Sequence, residues 1–319
     1  MKDEMFLKDE MFLKDKAILI TGGNGFIGTN LGLYLRDEKG AKILNVDKKK
    51  NSPVGLNTKI IDLSDFDELK RVIDSVEIDY VIHLAGFSSP AKCLDEQLTI
   101  RENVSVIENL LNILEGKNVK GIVFSSTSLV YDFGVPMPIA EESKLNPDNH
   151  IYARTKIIGE RLFQKFSKET GIPCAILRIS NAYGPYQDWK NNPTLIPQVV
   201  SQALIKGEIE VKDMAPVRDW IYVDDVVRAF SLALENESSG VFNVSSGVGA
   251  SVGEIVRYVS GRTGAEVCYE SDEPGFSGNV VILDNNKLKS VLGWKPLFGL
   301  EDGLNKTIEY YQKTLKDRI

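Results

Sequence analysis

The sequence predicts an α/β protein built on a doubly wound parallel sheet, and three observations carry that prediction. Short apolar runs alternate with segments of helical spacing from residue 17 to about 180. The first run leads through a glycine-rich turn into a helical segment, and the next strand-like run follows directly. Repeated β–α units of this kind close as parallel strands with helices on both faces.

Each element has its own signal. Ala17-Ile18-Leu19-Ile20 is a short apolar run ahead of a glycine turn, as a strand buried on both faces requires. Residues 26–36 place apolar side chains at helical spacing and 42–46 read as strand, which completes one βαβ unit. Further strands are expected at 59–61, 80–83, 121–125 and 174–179, with helices at 66–75, 93–115 and 152–170 between them. Residues 183–197 are rich in proline, asparagine and aromatics and read as loop, with helix only from Leu195. Strand–helix texture returns at 218–233, and 251–319 forms a smaller α/β region. The expected organisation is a first domain of 14–180 plus about 218–244, and a smaller α/β substrate-binding domain from 181–217 and 245–319.

Composition narrows the function classes. The 319 residues are 43% hydrophobic and 26% charged, the balance of a globular chain. Thirty-eight basic against 45 acidic residues give a net charge of −7, which speaks against nucleic acid as a partner. No run approaches the ~20 apolar residues of a membrane span. Cys93, Cys174 and Cys268 are few and scattered, which suits a reducing, cytoplasmic setting. Lys2–Leu7 (KDEMFL) repeats unchanged as Lys8–Leu13, with charge interrupting both apolar triplets, so no secretory signal is expected. Residues 1–13 read as an unordered duplicated extension, with order starting at Lys16; the alternative is an arm docking on a partner subunit.

The first motif is Thr21-Gly22-Gly23-Asn24-Gly25-Phe26-Ile27-Gly28, in which Gly23-x-Gly25-x-x-Gly28 fits a dinucleotide fingerprint. Glycines permit a tight turn and close backbone approach to a pyrophosphate, which then faces the helix N-terminus. Asp47 closes the second strand 19 residues after Gly28, where a carboxylate can accept a ribose hydroxyl. That acid favours NAD over NADP, although Lys48, Lys49 and Lys50 follow it. The plain alternative is a structural turn with a surface acid.

The second motif places Tyr152 and Lys156 four residues apart on one helix face. A free phenol titrates near ~10, too high for a base at neutral pH, and a nearby ammonium favours the phenolate. Alone, the pair would read as a surface contact. His83 in an expected buried strand and His150 in a loop have no second ligand at metal spacing, so no metal site is expected.

Together these motifs resemble the short-chain dehydrogenase/reductase superfamily, in its extended branch of nucleotide-sugar epimerases and dehydratases. Further matches are Asp62-Leu63, His83-Leu84-Ala85-Gly86, Asn103, Ser125-Ser126-Thr127, Arg178 with Asn181-Ala182-Tyr183-Gly184-Pro185, Arg218 to Asp225 (RDWIYVDD), and Leu292 to Pro296 (LGWKP). The resemblance spans about residues 16–311 and implies a Rossmann-type fold with NAD as cofactor. It also implies that Gly22, Gly25, Phe26, Ile27 and Gly28 border the pyrophosphate, Asp47 the adenosine ribose, and Asp62 with Leu63 the adenine. Leu84, Ala85, Gly86, Asn103 and Ser125 would complete the cofactor site, and Lys156 would hold the nicotinamide ribose. Tyr152, Lys156 and Thr127 would be catalytic, while Ser88, Thr127, Asn181 and Arg218 would meet a nucleotide-diphosphate sugar. Simpler roles are a helix cap for Asp62, packing for Asn103, and pairing with Asp224 or Asp225 for Arg218. The resemblance further implies a homodimer through a four-helix bundle.

Within that family, dehydratases and decarboxylases carry carboxylates after the position of Thr127, where this chain has Ser128-Leu129. The expected activity is therefore 4-epimerisation by transient oxidation at C4, with Tyr152 as base. A 4-keto-deoxysugar reductase or nucleotide-sugar dehydrogenase is the alternative, and a non-catalytic nucleotide-binding protein a third reading. Three departures stand out: Glu273-Pro274-Gly275-Phe276 where relatives carry Arg-Pro-Gly-Asp, residues 211–217 like those of keto-sugar reductases, and Tyr131-Asp132 in place of Tyr-Gly.

Overall fold

The computed structural model describes residues 12–50, 55–191, 194–269 and 280–316. Its main sheet has seven strands: β1 (Ala17–Thr21), β2 (Lys42–Asp47), β3 (Thr58–Ile60), β4 (Tyr80–His83), β5 (Gly121–Thr127), β6 (Cys174–Ile179) and β10 (Gly240–Val244). Their order is β10-β6-β5-β4-β1-β2-β3, and every pairing is parallel. Ile18 and Ile20 join one apolar layer with Leu31 and Leu35 of α1 (Phe26–Asp37) and Phe230 of α7 (Val223–Glu235). Leu19, pointing the other way, joins Leu69 of α2 (Phe66–Asp74), Ile107 of α4 (Val106–Leu114) and Phe163 of α5 (Ile151–Thr170). This two-sided burial is why the strands read as continuous apolar runs. Strand order reverses between β1 and β4, and the crevice beyond the carboxyl ends at that point is where an open α/β sheet binds ligands.

The expected helix over 93–115 runs from Glu96 to Leu114, with one wide turn inside it. A 3-10 turn covers Pro90–Lys92, Asp95 caps α3 (Glu96–Ile100) by accepting the Leu98 amide at 2.9 Å, and a π-helical turn (Arg101–Ser105) precedes α4. The cap competes successfully for the start of the helix, and the wide turn re-aims Asn103.

A second sheet gathers β7 (Asn181–Tyr183), β9 (Val217–Tyr222), β11 (Gly249–Ser251) and β13 (Val280–Val281), while β8 (Glu208–Val211) pairs with β12 (Glu266–Tyr269). Around them lie α6 (Leu195–Lys206), α8 (Val252–Thr263), α9 (Asn286–Leu292) and α10 (Leu300–Lys316). β9 pairs with β7, β11 and β13 outside the main sheet, and α7, which follows it directly, packs against the main layers. Asp225 ties the layers, accepting the Leu297 and Phe298 amides at 2.9 and 3.0 Å and an Arg228 hydrogen bond at 3.0 Å.

Order also begins before Lys16. Phe12 packs against Tyr80 with ring centroids 6.3 Å apart, and Leu13 is wholly buried in the core beneath the sheet. Leu13 is thus a plug for the amino-terminal edge of the sheet, because its apolar side chain escapes water there; residues 1–11 lie outside the described residues. Leu13→Ala is expected to cost about 2–5 kcal/mol of stability, read from denaturant melts.

Candidate active site

The carboxyl ends of β1 to β6 open into a cleft of about 1060 Å³. At its centre, Gly22 turns the chain with φ +75°, and a Cβ there would lie 2.7 Å from the Ala85 amide nitrogen. A Cβ on Gly28 would lie 2.5 Å from Gly22 O, so α1 can pack this close only with glycine. Gly25 begins α1 with no side-chain cap, which leaves the first-turn amides directed at the cleft for an anion. Gly28→Ala is expected to weaken NAD binding at least about tenfold in a fluorescence titration.

Asp47, at the tip of β2, accepts the Asn24 amide at 2.9 Å and the Lys49 amide at 2.8 Å, which fixes the carboxylate at the cleft edge. Asn24 is anchored in turn through its Oδ1, which accepts from Asn45 Nδ2 at 3.0 Å and Thr58 Oγ1 at 2.9 Å. Asp62 also lines the cleft. Burial raises its carboxyl, but hydrogen bonds from the amide and hydroxyl of Ser64 win and hold it below the usual range. It does not cap α2; Asp65 does, accepting the Glu68 amide at 2.9 Å.

The catalytic candidates converge on the opposite wall. His150 starts α5 by accepting the Tyr152 amide at 3.0 Å, and Gly171, with φ +79°, ends it. Tyr152 and Lys156 face the cleft one turn apart, with the Lys156 Nζ 5.9 Å from the Tyr152 ring centroid. Burial pushes the Tyr152 phenol well above its ordinary range, and a hydrogen bond with Thr127 opposes the rise. Burial lowers the Lys156 ammonium to about 8, while the neighbouring Cys93 and Glu160 hold it up. Its Nζ donates to Ser125 O at 2.9 Å.

Beneath this wall lies a buried polar network. Arg178 donates to both oxygens of Glu160, at 2.9 and 2.7 Å, and to Tyr131 OH and Glu141 O at 3.0 and 2.9 Å. Glu160 sits four residues after Lys156, so Tyr152, Lys156 and Glu160 form one stripe along α5. That spacing was the available signal for Glu160, which the motif reading passes over. His83 is fully buried, shares a 2.8 Å hydrogen bond between its Nδ1 and Thr21 Oγ1, and is depressed to about 3 by burial and then by the Lys156 charge.

Gly22, Gly25, Phe26, Ile27, Gly28, Asp47, Asp62, Leu63, Leu84, Ala85, Gly86, Ser125, Tyr152 and Lys156 all line the cleft, as do Ser88, Thr127, Asn181 and Arg218. Asn103 is the exception. Its Oδ1 accepts the Phe87 amide at 2.6 Å and its Nδ2 donates to Thr155 Oγ1 at 3.0 Å, so it joins the loop after β4 to α5 from behind. Arg218 does not pair with Asp225, which holds Arg228 instead; its NH1 donates to Val217 O at 2.9 Å. Glu273 to Phe276 lie outside the described residues. Sequence reasoning missed Glu102, which pairs with Lys48 beside the cleft, and the lining contributed by residues 186–191 and by Tyr310 and Tyr311 of α10.

The residues present fit NAD: a glycine turn at an uncapped helix start, an acid at the tip of β2, and a phenol with an ammonium across the cleft. Comparison with known proteins agrees. Residues 18–245 match the profile of the NAD dependent epimerase/dehydratase family. The UDP-glucose 4-epimerase of Halalkalibacterium halodurans is 31% identical, the match covering 88% of this chain and 91% of the relative. A crystal structure of the Thermotoga maritima UDP-glucose 4-epimerase with UDP-glucose superposes with a TM-score of 0.85 at 32% identity, covering 94% of this chain and 99% of that one. The Thermus thermophilus UDP-glucose 4-epimerase in complex with NAD gives a TM-score of 0.81 at 28% identity, with 93% and 99% covered. The glycine turn, the strand order and these matches lead to one conclusion: the chain belongs to the NAD-dependent epimerase/dehydratase family.

Proposed function

We propose that the protein is a nucleotide-sugar 4-epimerase. One observation carries the choice of reaction: Tyr152 and Thr127 line the cleft together, Thr127 opposing the rise of the phenol, with no carboxylate beside them among the described residues. Ser128 and Leu129 follow Thr127, and leucine neither gives nor takes a proton. Among the described residues, the carboxylates lining the cleft are Asp47, Asp62, Glu102 and Asp188. Asp47 is held by the glycine turn, Asp62 by Ser64, Glu102 by Lys48, and Asp188 by the amides of its own loop. Elimination of water needs an acid next to the base, and epimerisation does not.

In this reading Thr127 holds the C4 hydroxyl of the sugar and Tyr152 removes its proton. Lys156 favours the phenolate through its charge. NAD, which the glycine turn, Asp47 and Lys156 would hold, would supply the hydride acceptor and donor for C4 and, when oxidised, positive charge near the phenol. Tyr152 then gives its proton back, so neither protein nor cofactor is changed over a cycle. Asn181 and Arg218 receive the diphosphate, where the guanidinium fork matches phosphate geometry. Desolvation lowers the Arg218 guanidinium, and a bound anion would compensate. The test is to incubate purified protein with UDP-galactose and no added cofactor, and resolve the products by anion-exchange chromatography. Interconversion with UDP-glucose is expected; stoichiometric consumption of external NADH with a 4-keto sugar would instead identify a reductase.

The same reading pairs two copies through the outer faces of α3 to α5. Leu94, Leu98 and Ile100 are exposed in this region, Leu94 at 89%. Light scattering is expected to give twice the chain mass, and a monomer would remove the pairing.

A further inference from the structure

After β7 the chain turns at Gly184 and runs along the cleft as residues 185–191, fastened at successive points. Asn30, in α1, donates through Nδ2 to Pro185 O at 3.0 Å and to Phe26 O at 2.9 Å, which joins the loop to the helix start facing the cleft. Tyr186 takes a left-handed backbone, φ +65°, which costs a non-glycine residue energy and persists only where the surroundings enforce it. Its ring lies 4.9 Å from that of Tyr310 in α10. Gln187 O accepts from Tyr311 OH at 2.5 Å, and Gln187 Nε2 donates to Thr194 Oγ1 at 2.9 Å. Asp188 Oδ1 accepts the Lys190 and Asn191 amides at 3.1 and 3.0 Å.

One further observation points to a ligand. Gln187 lines the cleft and is 7% exposed, yet its Oε1 is buried with no hydrogen-bond partner. An acceptor left empty in this way is costly, and a donor on a bound molecule would fill it. Asp188, on the loop, lines the same cleft as Lys49 and Lys92, and its carboxylate holds the turn of the loop. Burial raises its carboxyl, but the Asn191 hydrogen bonds, the Lys190 amide and the charge of Lys49 hold it below the usual range. Lys92, across the cleft, feels the Asp188 charge as well. The loop thus connects the helix that starts at the glycine turn to the carboxy-terminal helix.

We propose that residues 185–191 are a clasp that retains NAD between turnovers, with Asn30 and Tyr311 as anchors and the Asp188 carboxylate holding the turn of the clasp. A cofactor restored in every cycle has no need to leave, and a strained, doubly anchored loop beside its cleft slows its escape. The clasp rests on the NAD assignment and is independent of which sugar reaction takes place.

The test loads the full-length protein with NAD, removes free cofactor, and adds excess alcohol dehydrogenase with ethanol, which reduces NAD as it is released. No sugar is present, so the result does not depend on the 4-epimerase reading. Release from Asp188→Ala and Tyr311→Phe is expected to be at least about tenfold faster than from the parent. Release from Asp188→Ala within twofold of the parent would overturn the clasp. That variant decides alone if Tyr311→Phe fails to fold, since among the described residues the Asp188 carboxylate hydrogen-bonds only to its own loop.

Discussion

Replacing Tyr152 by Phe is expected to lower kcat by about 10²- to 10⁴-fold, the range in which a positioned proton-transfer group contributes. The substitution removes one hydroxyl and keeps the ring, so NAD affinity and melting temperature should stay near parent values. The pH profile tests the same role with a definite sign. Acid keeps the buried phenol protonated, so kcat falls as pH is lowered. Lys156, brought down to about 8 by burial, sheds its charge above that value, which sets an alkaline limb. Lys156→Met removes the charge that favours phenolate, so the acid limb should move to higher pH. An unmoved acid limb would detach Lys156 from the phenol.

The second large effect is on stability. Glu160 and Arg178 are 2% and 4% exposed and share two hydrogen bonds of 2.9 and 2.7 Å. Arg178 also reaches Tyr131, whose hydroxyl donates to Asn243 Oδ1 at 2.6 Å, so the pair joins α5 and β6 to the loop after β5 and to β10. Glu160→Ala leaves a guanidinium buried with only neutral partners. The expected loss is about 3–5 kcal/mol, the cost of breaking a buried pair from one side. Converting both residues to methionine should cost less than Glu160→Ala alone, because no charge remains to be desolvated. Urea melts of the three proteins give the comparison.

The main sheet was legible in the sequence because its strands are buried on both faces and cannot hide a polar stripe. The glycine turn and the Tyr152–Lys156 spacing were legible for a similar reason: each is a local geometry that few residue types satisfy. What the sequence obscured is non-local. Leu13 belongs to a repeat that looks like surplus, and its burial depends on the edge of a sheet formed by distant strands. Asn103 sits in a family-like position, but the π-helical turn directs it to Phe87 and Thr155. Glu160 and Arg178 are 18 residues apart on different elements, and only the packing of α5 on β6 joins them. The loop at 185–191 has the composition of a connector, and its anchors come from the two ends of the chain.

The central claim is that one hydrogen leaves C4 of a sugar and returns to the same carbon within one closed site. UDP-galactose deuterated at C4 tests it directly, with purified protein, no added cofactor, and product analysis by mass spectrometry and proton NMR. The account predicts UDP-glucose that retains deuterium at C4. Deuterium lost from C4, or UDP-glucose carrying solvent hydrogen there, would contradict it.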